Sequence, residues 1–180
     1  MFVYCVGTYA IAGQTDCTPC PAGFACPYTN AATEIACEAG TFSVGEQTEC
    51  ERCPPGFGCP DPASNTQNEC DEGEYSAGGQ DTCTVCTAGY ACPDRYSSLR
   101  FRCRSGTYSE AGATLCTDCE PGLECPTTSS LGTACASGYY SLGNEIACRV
   151  CPIGHSCADP AVDPVPCSSG MYQDQSGQTS

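Results

Sequence analysis

The placement of cysteine constrains this chain more than any other feature. Of 180 residues, 21 are cysteine. Twenty fall into five tetrads: Cys5, Cys17, Cys20, Cys26; Cys37, Cys50, Cys53, Cys59; Cys70, Cys83, Cys86, Cys92; Cys103, Cys116, Cys119, Cys125; and Cys135, Cys148, Cys151, Cys157. The spacing is C-x12-C-x2-C-x5-C, one residue shorter at the start of the first tetrad, and tetrads begin 32 or 33 residues apart. A self-similarity this regular predicts a tandem array of small units. The units run over residues 5–36, 37–69, 70–102, 103–134 and 135–166. Cys167 opens a sixth over 167–180, whose second cysteine would fall where Ser180 stands. The few residues before Cys5 are too short for a secretory leader, so the chain reads as a window cut from a longer repeat protein.

Little else could build a core. Leu, Ile, Val and Phe number 21 between them, below the roughly 20% at which a highly charged chain is read as disordered. The formal charge is −15, and Gly (20) and Pro (14) are frequent. Two sub-motifs alternate. In Cys-x-x-Gly-x-[Tyr/Phe], as Cys37 to Phe42, the glycine suits a turn that needs positive φ. The ring two residues later is expected to lie against a disulfide. In Cys-x-x-Gly-x-x-Cys, as Cys53 to Cys59, an aromatic follows the glycine in three of five copies, and Leu123 and His155 replace it in the others. Polar runs such as residues 43–47 suit hairpin tips. The Pro/Ser/Thr-rich stretches 60–69 and 126–134 read as linkers pinned by cysteines. No helical periodicity is present. The expected fold is therefore a series of small disulfide-rich repeats, an elongated rod of short β-hairpins and irregular loops with almost no helix.

Three roles for the cysteines compete. Zinc would need two C-x-x-C pairs or histidines to converge, and there is one His in the chain. A redox C-x-x-C needs a βαβ setting that is missing. A disulfide scaffold made in an oxidising compartment remains. Of three connectivities within a tetrad, first–fourth with second–third would bridge a strained C-x-x-C. First–second with third–fourth is expected, and first–third with second–fourth stays open. A loop of 14 residues closed by a bridge is worth about 3 kcal/mol in the chain-entropy treatment, so two bridges per unit can replace a core.

The run Cys-x-x-Gly-Thr-[Tyr/Phe]-Ser followed by Cys-x-x-Cys-Pro-x-Gly-Phe-x-Cys-Pro, clearest from Cys37 to Pro60, resembles the ephrin-receptor-like cysteine-rich repeat. That repeat is similar in style to tumour necrosis factor receptor and EGF-like modules. Thr87 and Glu120 depart from it after the third cysteine, and Ala158 after the fourth. The resemblance implies an extracellular or cell-surface rod without a catalytic site or cofactor, of the kind found in large surface proteins of protists, algae and simple animals. It implies either a structural segment of a filament, surface coat or flagellar-hair-like appendage, or a ligand-binding or adhesion receptor ectodomain.

The candidate chemistry is sparse. His155 stands at the ring position of its motif, without a nucleophile partner. Glu69, Asp71, Glu72 and Glu74 flank Cys70 without the spacing of a calcium loop, and read as a solvated acidic turn. There is no basic nucleic-acid surface and no apolar run near the roughly 18 residues of a membrane span. Asn-x-Ser/Thr sites are absent, while Thr127, Thr128, Ser129 and Ser130 could carry O-glycans. The sharpest surface feature is charge: Arg95, Arg100, Arg102 and Arg104 lie within ten residues, with Tyr96, Leu99 and Phe101 among them. This basic, aromatic stripe on an acidic chain predicts self-assembly, with the stripe docking on the Glu69, Asp71, Glu72, Glu74 turn of a neighbouring copy.

Overall fold

The computed structural model describes residues 7–179. Twenty strands of two residues each pair into ten separate antiparallel hairpins, and no helix forms among the described residues. The hairpins are of two alternating kinds. In the ring hairpins, the strand after the Cys-x-x-Gly turn pairs with the strand before the third cysteine. Thr41–Phe42 lies against Glu51–Arg52 in this way, with counterparts at Thr8–Tyr9, Glu74–Tyr75, Thr107–Tyr108 and Tyr139–Tyr140. In the linker hairpins, the residues after the second glycine pair with those before the next tetrad, as Phe57–Gly58 does with Asn68–Glu69. The polar stretches that read as linkers are thus the loops of real hairpins. One closing strand, Asn68–Glu69, carries no β-forming residue; it is extended because the cysteines on either side hold it there.

Each described tetrad is bridged first to second and third to fourth. Cys37–Cys50, Cys70–Cys83, Cys103–Cys116 and Cys135–Cys148 each span 13 residues. Cys20–Cys26, Cys53–Cys59, Cys86–Cys92, Cys119–Cys125 and Cys151–Cys157 each span 6. Their Cα separations, such as 5.6 Å for Cys37–Cys50 and 5.7 Å for Cys53–Cys59, suit unforced bridges. Cys17 is also disulfide-bonded, while Cys5, its expected partner, lies outside the described residues. Cys167 is free and half-buried.

These bridges are the core. Among the described residues, Ala25, Phe42 and Ala91 are the only buried apolar residues that are not cysteine. Phe42 packs on Cys53–Cys59 together with Phe57. Tyr9, Tyr75, Tyr108 and Tyr140, which take the place of Phe42 in other repeats, are half-buried instead, because a phenol hydroxyl must keep a polar partner. The Tyr9 hydroxyl finds one in Glu34 Oε1, at 3.2 Å. Partial desolvation, and then this carboxylate, hold the Tyr9 phenol above its ordinary pKa.

Neighbouring repeats are joined through backbone. From the second repeat onward, the tip of the ring hairpin lies across the short bridge of the repeat before it. In the second and third repeats, Gly56 N–H donates to the Ser76 carbonyl, Cys59 N–H to the Gln80 carbonyl and Gly79 N–H to the Cys53 carbonyl. Ser76 N–H in turn donates to the Arg95 carbonyl in its own linker loop. The same four bonds recur around Ser43, Ser109 and Ser141. The approach is close enough that a side chain at Gly40 would collide with the Gly79 backbone, and Gly40 also takes a φ of 79°. That glycine is therefore required twice over. By contact density the chain forms two compact units. One runs to Val85 and takes in Asp94–Leu99; the other comprises Cys86–Pro93 and the chain from Arg100 onward. The division falls inside the third repeat.

Candidate functional site

The arginine-bearing stretch does not act as one stripe. Its first part, Asp94–Leu99, belongs to the first compact unit and is built as an ordered loop. The Asp94 carboxylate accepts Tyr96 N–H at 2.9 Å, and Ser97 Oγ accepts Leu99 N–H at 3.0 Å. Such side chain to backbone bonds replace the ladder that a turn lacks. The Arg95 guanidinium donates to Glu69 Oε1 at 2.7 Å, within the same unit. The Tyr96 ring lies over Gly56, in the space that a side chain there would need. Arg95 and Tyr96 therefore hold their own linker loop down on the Cys53–Cys59 turn, and Glu69 is already engaged by an arginine of the same chain.

The second part is different. Phe101–Arg102 pairs with Tyr90–Ala91, placing Arg102 opposite Tyr90 and Phe101 opposite Ala91. Alternation along a strand puts Arg100 and Arg102 on the face that carries Tyr90, and Phe101 on the other. The Arg100 guanidinium carbon sits 4.7 Å from the Tyr90 ring centroid, a cation–π contact that fixes its direction. Arg100, Phe101, Arg102 and Arg104 are all exposed. The two ion pairs among the described residues are Arg95–Glu69 and Arg149–Glu145, so none of Arg100, Arg102 and Arg104 has a carboxylate partner there. Of the acidic turn, Asp71 and Glu72 are exposed and Glu74 is half-buried in a ring hairpin opposite Val85.

The remaining candidates have plain structural surroundings. His155 is half-buried in its linker hairpin, with Nδ1 3.1 Å from the Ile153 carbonyl oxygen. Among the described residues no group of three His, Cys, Asp or Glu side chains gathers closely enough to hold a metal ion. Thr127 and Ser130 share a hydrogen bond at 2.6 Å between their hydroxyls. Thr128 accepts Ser109 N–H through its carbonyl, which makes it part of the inter-repeat clamp.

Sequence reading placed a serine after the ring but gave no role to four residues. Ser43, Ser76, Ser109 and Ser141 are the only buried polar side chains among the described residues. Three of their hydroxyls accept the N–H two residues on, as Ser76 does from Gly78 at 3.2 Å, while Ser109 donates to the Tyr90 carbonyl at 2.8 Å. The signal was a serine directly after the ring in four consecutive repeats, amid otherwise variable tips.

No protein-family model matches this chain, and no curated protein matches it either.

Proposed function

We propose that this chain is a structural segment of an extracellular cysteine-rich repeat protein that assembles with copies of itself into a filament, coat or appendage. The chain is a tandem series of disulfide-rich hairpin units, and proteins of that chemistry mature in oxidising compartments. The resemblance of the Cys37 to Pro60 segment to ephrin-receptor-like repeats supports the same setting. The observation that carries the structural role is the nature of the clamp between repeats. It is made of backbone groups and a buried serine, so surface residues are free to vary while units are added in series. A non-enzymatic role follows from this reading. The alternative, a ligand-binding or adhesion ectodomain, is favoured by the junction of the third and fourth repeats, where Phe101 stands 54% exposed beside Arg100, Arg102 and Arg104, which have no carboxylate partner among the described residues. Light scattering of the oxidised protein over a concentration series, with electron microscopy of the same samples, tests the assembly reading. Ordered, concentration-dependent oligomers are expected; a monomer at every concentration overturns it.

A further inference from the structure

We infer that the face of the third linker hairpin carrying Tyr90, Arg100 and Arg102, extended by Arg104, is a docking surface for the carboxylates of a second copy of this chain. The inference rests on the self-assembly reading above and names the surface that would serve it. Three observations carry it. First, Arg100 and Arg102 stand two residues apart at the Phe101–Arg102 strand, so they project from one face about 7 Å apart, and Arg104 follows just beyond, at the start of the next turn. Three like charges so close repel one another, which gives the fold no benefit. Second, these arginines have no carboxylate partner among the described residues, in a chain with 21 Asp and Glu. The other three are engaged: Arg52 with the Gly78 carbonyl, Arg95 with Glu69 and Arg149 with Glu145. Third, Tyr90 takes one face of the Arg100 guanidinium. Stacking there orients the planar fork and leaves its edge donors open to a bidentate carboxylate.

Charge complementarity points to a second copy as the occupant. A molecule at −15 repels its like except where positive charge is exposed and unpaired. At physiological salt the Debye length is about 8 Å, so this local patch is felt by an approaching surface while distant carboxylates are screened. The contact is heterologous, since a basic patch cannot pair with itself, and repeated heterologous contacts give open chains or rings rather than closed two-fold dimers.

The test uses the full oxidised chain and a triple variant, Arg100→Gln, Arg102→Gln and Arg104→Gln, with Arg149→Gln as a control. Sedimentation is measured over a concentration series at low and high salt, and thiol counting verifies that all bridges have formed. Rim-exposed charge pairs contribute modestly, so the triple variant should lose about ten- to a hundredfold in association constant. It should also lose most of the salt dependence, while the control behaves as wild type. A triple variant that associates like wild type, with the same salt dependence, overturns the inference and leaves the assembly reading standing. A wild-type chain that never associates sinks that reading and this inference with it. Dextran sulfate, added to the wild-type and variant chains, separates the remaining case. If it binds through these arginines while copies stay apart, the partner is an anionic polymer and the second-copy assignment is wrong.

Discussion

The two bridges of a repeat are the same bond in different surroundings. Cys53 and Cys59 are each 1% exposed, beneath the tip of the following ring hairpin and against Phe42 and Phe57. Cys37 and Cys50 are both half-buried, and Cys50 lines an open pocket of about 350 Å³ with Ala25, Pro27 and Ile35. Loop closure favours the longer bridge, but only by about 0.6 kcal/mol for a doubled loop. Burial favours the shorter one. Each sulfur removed from a packed site costs about 1 kcal/mol, by analogy with a buried methylene, before any cavity is counted. Two buried sulfurs outweigh the entropy difference. Every described short bridge has both cysteines buried, whereas a long bridge has at most one, Cys70 or Cys103, and in the second and fifth repeats neither.

The largest effect should come from deleting each bridge in turn. C53A/C59A is expected to destabilise by about 4–5 kcal/mol, and C37A/C50A by about 3 kcal/mol, read from urea midpoints of the otherwise oxidised protein. Equal or reversed costs would mean that loop entropy, not burial, ranks the bridges. Reduction rate should follow the same ranking. Under limiting dithiothreitol, alkylation mapped by mass spectrometry should find Cys37–Cys50 and Cys135–Cys148 opened about tenfold faster than Cys53–Cys59, since exchange requires a thiolate to reach the sulfur. Early loss of Cys53–Cys59 would show that the clamp above it opens readily. A smaller effect is expected at the serine of that clamp. Ser76→Ala leaves the Gly78 N–H without its acceptor and should cost about 1 kcal/mol, seen as faster amide exchange at Gly78; unchanged exchange would show that the hydroxyl is dispensable. The smallest effect belongs to Arg95→Gln. The Arg95–Glu69 pair is partly exposed and should contribute no more than about 1 kcal/mol, because Tyr96 and the Ser76–Arg95 backbone bond hold the loop without it. A larger loss, or exposure of Cys53–Cys59 to alkylation in that variant, would make the ion pair a structural part of the short-bridge side.

Much of the fold was legible because its determinants are local. Cysteines 6 and 13 residues apart leave few geometries, and a glycine three residues after a cysteine marks the turn that starts each ring hairpin. The strands themselves were less legible. Thr133–Ala134 and Asn68–Glu69 are paired with no alternation of apolar residues to announce them, since the bridges impose the pairing that hydrophobic burial would otherwise supply. The ring positions were read as equivalent, but only Phe42 is buried at 3% exposure; a single hydroxyl keeps its tyrosine counterparts partly in solvent. At the candidate surface, composition showed that four arginines cluster. It could not show that Arg95 is held by Glu69 while Arg100 lies on Tyr90.

What the sequence by itself determined is everything set within a loop of about a dozen residues: the repeat, the turns, the scarcity of apolar core and the small number of possible bridge partners. The tertiary structure alone decided which bridge is buried, why a serine follows the ring, and which arginines remain unpaired. Those outcomes depend on contacts such as Ser76 with Arg95, or Arg95 with Glu69 at a separation of 26 residues. Such contacts exist only once one repeat has laid its hairpin tip across the bridge of another. Burial and charge pairing are properties of that packed arrangement, and residue spacing along the chain does not encode them directly.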